Sequence, residues 1–228
     1  MSERAIERPI GRWWGVTDAI RNAVLGLVEL VAPPRCIGCE LPAAPEARPF
    51  CPACAPLLER PSRALRPPAP ASAPFLYVGP MREALVRLKY AGRPDLAVPL
   101  GALLVQEAGV LAGQVDRVVP LPLHPRRLRE RGYNQSALLA RPLAAALGVP
   151  LDTRTLSRVR ATPPQAALPR ARRGLNMRGA FKALPCRARV LLVDDVRTTG
   201  ASLQAAAEAL ASAGCRAVHS VALARAPG

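Results

Sequence analysis

Two adjacent carboxylates, Asp194 and Asp195, stand between a run of four apolar residues and a run of small residues. The apolar run, Val190 to Val193, has the composition of a strand that is buried on both faces. The small residues are Thr198, Thr199, Gly200, Ala201 and Ser202. Backbone N–H groups of a turn at the start of a helix suit a phosphate, and bulky side chains would block its approach. Adjacent carboxylates accept hydrogen bonds from neighbouring hydroxyls, so the pattern predicts a site for a phosphorylated ribose.

The elements on either side predict where this turn lies. Beyond it, apolar residues have the spacing of a helix with one buried face, at Leu203, Ala206, Ala207 and Leu210. A strand, a turn and a helix in this order place the turn at the carboxyl end of a parallel sheet, where open α/β folds bind ligands. A simpler interpretation is a capped turn with Asp195 or Thr199 as the helix N-cap. One residue is enough for a cap, however, so a cap does not explain the whole string.

The string resembles the phosphoribosyl pyrophosphate (PRPP) signature of type I phosphoribosyltransferases: a hydrophobic run, two acidic residues, then T-T-G-x-[TS]. The resemblance implies that Asp194 and Asp195 hold the ribose 2′- and 3′-hydroxyls. It also implies that Thr198 to Ser202 wrap the 5′-phosphate. The fold class it implies is α/β, with a type I phosphoribosyltransferase-like parallel sheet flanked by helices.

A second group of charged residues lies between a strand predicted at Val115–Val119 and a helix predicted to begin around Asn134. Its four arginines are Arg126, Arg127, Arg129 and Arg131. Guanidinium forks match phosphate oxygens, and the order of elements places this segment at the same sheet edge as the acids. We expect the four arginines to stabilise departing pyrophosphate, and we group Arg131 with the two acids as catalytic. A basic surface loop is the alternative, and His124 is weak evidence for acid–base chemistry.

Four cysteines form two C-x-x-C pairs, Cys36 with Cys39 and, after eleven residues, Cys51 with Cys54. Each pair can present two thiolates to one metal ion, and two pairs complete a tetrahedral all-sulfur site. In a cytosolic protein this spacing favours zinc over disulfides, with a redox pair or an iron–sulfur cluster as alternatives. Because cysteine fills all four positions, we expect a structural zinc ion.

The chain carries a net charge of +16. Between Pro120 and Lys182 there are 13 Arg and Lys residues against 2 acidic residues, so +11 of that charge lies in about a quarter of the chain. An anionic partner is therefore expected, either a phosphorylated small molecule or nucleic acid, and charge alone does not choose between them.

Composition and periodicity divide the chain into four parts. We predict a helical segment over 1–32, a four-cysteine zinc knuckle over 33–60, a linker rich in Pro, Ala and Arg over 61–74, and a phosphoribosyltransferase-like domain over 75–228. The apolar stripe of the first part is interrupted by Glu29 and is too short to span a bilayer. It also lacks the order of a secretory signal, so we expect a cytoplasmic protein without a membrane span. A basic, poorly periodic stretch from Arg158 to Arg173 is our candidate for a mobile lid.

Taken together, these motifs are similar to the ComF (competence protein F, GntX-like) family. The shared features are the four-cysteine knuckle, P-L-P-L-H-P-R-R-L-R-E-R-G-Y-N-Q, R-x-R-x-T-x-x-Q-x-x-L with R-x-x-N, and V-D-D-V-x-T-T-G-x-S, in the family's order. The resemblance implies PRPP binding with Mg²⁺, and transfer of phosphoribosyl to an unknown nitrogen acceptor if the protein is an enzyme. It equally implies the alternative of a competence (DNA uptake) adaptor that works with a DNA helicase or binds single-stranded DNA. A PRPP-sensing regulator is a third possibility.

Overall fold

The computed structural model describes residues 33–61 except 45, 47 and 48, residues 72–161, and residues 177–227 except 178. The predicted N-terminal helix, most of the linker and most of the predicted lid lie outside the described residues. Within the described ranges, the main sheet has four parallel strands in the order β1-β6-β5-β2. These strands are β1 (Phe75–Leu76), β2 (Arg117–Pro120), β5 (Arg189–Arg197) and β6 (Ala217–Arg225).

Five α-helices are described beside the sheet: α1 (Gly79–Tyr90), α2 (Ala97–Ala108), α3 (Pro125–Arg131), α4 (Gln135–Leu147) and α5 (Ala201–Ser212). The helix α4 packs on α2, β2 and β5, whereas α5 packs against β5, β6 and a short strand at Phe181–Ala183. Helices therefore cover both faces of the sheet, as the near-continuous apolar run of β5 requires. The prediction of a phosphoribosyltransferase-like parallel sheet flanked by helices is confirmed.

Two strands form a separate antiparallel ladder, β3 (Leu156–Arg158) with β4 (Phe181–Ala183). In the sequence, β3 and β4 lie on either side of the basic stretch that we predicted to be a lid. Arg158, the first residue of that stretch, is the last residue of β3. Arg158 pairs with Phe181 in the ladder, and its guanidinium carbon lies 5.5 Å from the centre of the Phe181 ring.

The central strand β5 is longer than the sequence predicted. We expected a strand over Val190–Val193 followed by a turn that contains the acids. Instead, β5 continues to Arg197, and Asp194 lies opposite Ala222 of β6. Extended backbone continues because β6 runs beside β5 over its whole length and bonds to it as far as Arg225. The two acids are consequently part of the strand, and the turn begins only after Arg197.

The sheet also begins earlier than predicted at its other edge. The linker was placed over 61–74, but Ser72 already pairs with β6: its N–H donates to the Ser220 carbonyl over 3.0 Å and its carbonyl accepts from Ala222 over 2.9 Å. Pairing therefore starts before Phe75.

The cysteine segment packs on the sheet domain. Cys36, Ile37 and Phe50 belong to the same buried hydrophobic cluster as Met81 and Leu85 of α1. A Cβ atom on Gly38 would lie 2.8 Å from Pro80 Cβ, so only glycine allows this approach between the knuckle and α1.

In the part of the chain that the structure describes, one helical stretch, Pro94–Leu111, is long and apolar enough to cross a membrane by length and composition alone. Core helices of globular proteins pass the same criterion. The stretch contains α2, whose Leu100, Leu104 and Ala108 are buried and which packs on α4 and β6.

Candidate functional site

The two acids predicted to bind ribose lie near the carboxyl end of β5 and are buried, with 7% of Asp194 and 3% of Asp195 exposed. Asp194 Oδ1 accepts from Ser136 Oγ over 3.0 Å and from the Asp195 N–H over 2.8 Å. Asp195 Oδ1 accepts from the Val196 N–H over 2.6 Å. Both carboxylates are thus held by protein donors.

Lys89, which no sequence motif predicted as a site residue, is the ionic partner of Asp195. Lys89 Nζ lies 2.9 Å from Asp195 Oδ2, and both side chains are mostly buried. The ammonium also lies 5.7 Å from the centre of the Tyr77 ring, within the range of a cation–π contact. Lys89 is in the last turn of α1, where the negative end of the helix dipole favours a cation.

Burial and neighbouring charges set the ionisation of Asp194 and Lys89. Burial, reinforced by the charge of Asp195, raises the pKa of the Asp194 carboxyl to about 7, although Lys89 and the hydrogen bonds of Asp194 oppose the rise. Burial lowers the pKa of Lys89, but the charge of Asp195, the hydrogen bond to Asp195 and the charge of Asp194 together outweigh burial, and the pKa lies above its ordinary value. Lys89 is therefore a cation at neutral pH.

The small residues after β5 form the predicted turn. Gly200 is the N-cap of α5 with a φ of 82°, in the left-handed region that favours glycine. The Ala201 N–H donates to Thr199 Oγ1 over 3.4 Å, and the Ser202 hydroxyl contacts Met177 Sδ at 3.9 Å. A cavity of about 310 Å³ is lined in part by Thr199, Gly200 and Arg197. Thr198 lies in the bend between β5 and α5.

The four arginines lie on the short helix α3, which the sequence did not predict. The helix α3 begins with Pro125, whose fixed φ suits a first turn, and Gly132, with a φ of 82°, caps its C-terminus. His124 is its N-cap, because its Nδ1 accepts from the Arg126 N–H over 3.3 Å. This contact assigns His124 a structural role.

Helical spacing separates the four arginines into two pairs. Arg127 and Arg131, one turn apart, line a cavity of about 430 Å³ together with Lys89, Tyr90, Gly92, Glu130 and Tyr133. Arg126 and Arg129 are exposed and are not part of the described lining, and Arg126 Nε pairs with Glu130 Oε1 at 2.9 Å. The structure therefore brings two of the four predicted arginines to one cavity.

Contacts between α3, α1 and α4 fix the walls of this cavity, and Lys89 connects the cavity to the acids. Tyr133 donates its hydroxyl to the Leu88 carbonyl over 2.5 Å, which ties the chain after α3 to the last turn of α1. Arg131 donates to Gln135, and its guanidinium carbon lies 5.3 Å from the centre of the exposed Tyr90 ring. Lys89 is common to both places, since it lines the cavity and contacts Asp195.

Arg158 of β3 lies near both Arg127 and Asp194. Burial lowers the pKa of Arg158, and the charge of Arg127 lowers it further, while the charge of Asp194 opposes both. The sequence placed Arg158 in the lid. Four other residues of the motif R-x-R-x-T-x-x-Q-x-x-L with R-x-x-N lie outside the described residues: Thr162, Gln165, Arg173 and Asn176.

The four cysteines converge as predicted, because their Sγ atoms all lie within 4.8 Å of one another. The N–H groups of Gly38 and Cys51 each donate to Cys36 Sγ over 3.3 Å. Burial raises the pKa of the Cys36 thiol, but backbone N–H donors, first among them Cys51, outweigh it and bring the pKa to about 6. Burial raises the pKa of the Cys54 thiol, and hydrogen bonds to the other cysteines raise it further. This group could hold a metal ion.

Comparison with known proteins agrees with the fold and the motifs. The phosphoribosyl transferase domain family matches residues 134–228. The DNA utilization protein YhgH of Salmonella typhimurium is 34% identical over 90% of this chain and 88% of its own length. Competence protein F of Haemophilus influenzae is 36% identical over 49% of this chain and 51% of its own length. The orotate phosphoribosyltransferase from Aeropyrum pernix aligns with a TM-score of 0.34 at 23% identity, covering 72% of both chains.

Proposed function

This chain belongs to the ComF family of proteins with a phosphoribosyltransferase domain, and we propose that it binds PRPP at the carboxyl end of β5. One observation carries the proposal: a pair of buried acids on the central strand lies beside a cavity lined by Lys89, Arg127 and Arg131. PRPP needs acceptors for its ribose hydroxyls and cations for its pyrophosphate, and the two sets are adjacent here. The Thr198–Ser202 turn and the start of α5 would receive the 5′-phosphate.

The acids are held by protein donors, so ribose must displace some of these donors in order to bind. Asp195 Oδ2 is the more available acceptor, because its contact is an ion pair with a flexible lysine side chain. Asp194 is bonded to Ser136 and to its own backbone neighbour, which fixes the carboxylate in the strand. Ribose binding would therefore begin with the replacement of Lys89 at Asp195.

Magnesium would arrive with the ligand. Among the described residues, only the four cysteines form a group of three or more metal-ligating side chains, so Asp194 and Asp195 are the carboxylates that these residues offer to Mg²⁺ at the site. This arrangement fits an ion that keeps its water and phosphate ligands. When bound, Mg²⁺ would offset charge on the pyrophosphate and ribose oxygens, while Arg127 and Arg131 act directly on the leaving group.

As an enzyme, the protein would transfer phosphoribosyl to a nitrogen acceptor. The C1–O bond of PRPP would break, pyrophosphate would leave with the bonding electrons, and a C1–N bond would form as the nitrogen gives its proton to solvent. Charge that develops on the leaving pyrophosphate is stabilised best by cations that are already in place. Arg127 and Arg131 provide such cations at the cavity.

Replacement of both acids tests the site. Asp194→Asn with Asp195→Asn keeps the side-chain shape and removes both charges, and we expect PRPP affinity in the presence of Mg²⁺ to fall by at least about 100-fold, since each charged hydrogen bond contributes about 1.5–3 kcal/mol. Isothermal titration calorimetry measures the loss. Asp116→Asn is the control, because this carboxylate pairs with Arg189 at the opposite end of β5, at 2.6 Å. Equal PRPP affinity in the double variant and the control would contradict the proposal.

We propose that the metal held by the cysteines is zinc. A tetrahedral Zn²⁺ ion with Zn–S bonds of about 2.3 Å separates its sulfur ligands by about 3.8 Å. The Cys39 and Cys51 sulfur atoms lie 3.8 Å apart. Because four thiolates complete the coordination sphere, the ion would be structural.

Single-stranded DNA binding is a second candidate function. The relatives are named for DNA utilization and competence, and the exposed Tyr90 ring, with Arg131 beside it, offers a surface on which a base could stack. In this role the protein would act as a competence adaptor, with a DNA helicase as the expected partner. Titration with single-stranded DNA at increasing salt concentration tests this candidate.

A further inference from the structure

Lys89 stands out among the basic residues of the chain. Of 32 Lys and Arg residues, two are lysines, Lys89 and Lys182. Lys182 is exposed on β4, whereas only 14% of the Lys89 side chain is exposed. An ammonium loses much of its hydration when it is buried, so its position requires a compensating anion. In this structure the anion is Asp195, at 2.9 Å.

The surroundings of Lys89 provide two alternative partners for its charge. On one side lies Asp195, the carboxylate that ribose hydroxyls are expected to engage. On the other side is the cavity of about 430 Å³, in which Lys89, Arg127 and Arg131 oppose the single carboxylate of Glu130. This excess of positive charge is suited to an anion with several negative charges. A lysine ammonium has a flexible four-carbon stem and three rotatable donors, so it can turn between two nearby partners.

We propose that Lys89 is a pyrophosphate-binding residue that leaves Asp195 for the pyrophosphate group when PRPP binds. The proposal rests on the PRPP site proposed above and adds one binding residue and a partner exchange to it. When the ribose hydroxyls reach Asp195, Lys89 loses its anion, and the pyrophosphate on the same ligand replaces that anion. Both buried charges then keep a partner throughout binding.

The exchange would select for the complete ligand. Ribose 5-phosphate carries the hydroxyls and the 5′-phosphate but has no pyrophosphate. It would displace Lys89 from Asp195 and leave a buried ammonium without a counter-ion, which is costly. Lys89 would thus oppose the binding of a sugar phosphate and favour the binding of PRPP.

The test compares two ligands on three full-length variants by calorimetry in the presence of Mg²⁺. For Lys89→Met we expect PRPP affinity to fall at least 10-fold, while affinity for ribose 5-phosphate is unchanged or higher. Lys89→Arg should retain more PRPP affinity than Lys89→Met, and Lys182→Met should match the wild type. Unchanged PRPP affinity in Lys89→Met, or equal losses for both ligands, would overturn the proposal. A wild-type protein that binds no PRPP would instead overturn the proposed function.

A second measurement uses the wild type, because loss of Lys89 leaves Asp195 buried without its cation and can unfold the chain. With ¹³Cε-labelled lysine the spectrum contains two side-chain signals, which Lys182→Met assigns. Inorganic pyrophosphate with Mg²⁺ should shift the Lys89 signal and leave the Lys182 signal in place. If pyrophosphate binds by calorimetry and the Lys89 signal stays where it was, Lys89 is not part of the pyrophosphate site.

Discussion

At the scale of single residues, the acid pair is defined by burial. Asp194 and Asp195 lie within a strand that pairs on both sides, so their carboxylates enter a region of low dielectric constant where charge is costly. The chain offsets this cost with Ser136, with backbone N–H groups and with Lys89. If the two acids bind ribose as proposed, these donors keep them hydrogen-bonded before the ligand arrives.

The raised pKa of Asp194 leads to a prediction about stability. Its carboxyl has a pKa of about 7 in the fold against 3.8 in its ordinary state. Between these values the folded state binds a proton that the unfolded state has lost, so the contribution to stability is present at low pH and is lost as pH rises through 7. The free energy of unfolding of the wild type, minus that of Asp194→Asn, should therefore fall between pH 5 and pH 8 by up to about 2.7 kcal/mol, because each of the two pH units below 7 corresponds to about 1.36 kcal/mol.

Urea denaturation of both proteins across this pH range measures the difference. Asp116→Asn is again the matched control, since the bond from Arg189 lowers the pKa of Asp116 to about 2, far below the window. A difference between wild type and Asp194→Asn that stays level or rises with pH would show that Asp194 is ionised in the folded protein at pH 5.

At the scale of elements, the contact between α2 and α4 depends on one glycine. A Cβ atom on Gly101 would lie 2.4 Å from Pro142 Cγ and 2.9 Å from the Leu139 carbonyl oxygen. Pro142 is inside α4, where the absence of its N–H and the bulk of its ring are unfavourable, and Gly101 of α2 accommodates that ring. The close approach matters for the site because α4 carries Ser136, the donor to Asp194.

Gly101→Ala should therefore destabilise the protein by about 1–3 kcal/mol, because the helices must move apart to admit the methyl group. Gly109→Ala is the control: no atom lies within 4 Å of its Cβ position, so we expect a change within about 1 kcal/mol. Thermal unfolding of the two variants gives the comparison. Equal melting temperatures would show that α2 and α4 pack less closely than described.

The cysteine module acts on α1. Arg87 Nη1 donates to the Ile37 carbonyl over 3.0 Å and to the Gly38 carbonyl over 2.8 Å, and both carbonyls belong to the first C-x-x-C turn. Arg87 lies in the last turn of α1, which also carries Lys89. A bound metal ion would thus stabilise the end of the helix from which Lys89 reaches Asp195.

Cys39→Ser should release the metal and lower the melting temperature, because structural zinc contributes on the order of 10 kcal/mol in small zinc peptides, and part of that contribution should be lost here. Metal content per chain and thermal unfolding are the measurements. Cys215→Ser is the control, since this cysteine is outside the four-cysteine group. Full metal content in Cys39→Ser would exclude Cys39 from the ligand set.

At the scale of the whole molecule, charge and shape point to anions. The net charge is +16, and the densest part of it follows β2 along the chain, where α3 borders the cavity. The positive electric field of the protein raises the local concentration of any phosphate ligand, and salt screens this field. PRPP and nucleic acid would both respond to it, so the salt dependence of binding has to be measured for each.

If DNA binding uses the mouth of the cavity, Tyr90→Ala should weaken binding of an oligodeoxythymidine by about 10- to 100-fold, since stacking of one base contributes about 1–3 kcal/mol. Fluorescence anisotropy at several salt concentrations measures the affinity and its salt slope, and the slope should stay constant because Tyr90 carries no charge. Tyr133→Phe is the control, since its ring is retained and only the hydroxyl bonded to Leu88 is removed. Unchanged affinity in Tyr90→Ala would place any bound strand elsewhere.

The amino-acid sequence by itself determined the motifs that are local in the chain. The cysteine spacing, the acid pair followed by small residues, and the apolar face of α5 each depend on a few neighbouring positions, and periodicity or turn chemistry reveals them. Only the tertiary structure decided which side chains meet. The ion pair of Lys89 with Asp195, the burial of both acids and the choice of Arg127 and Arg131 over Arg126 and Arg129 depend on sheet order and helix phase. Contacts between residues far apart in the chain have no local pattern, because the packing of whole elements creates them.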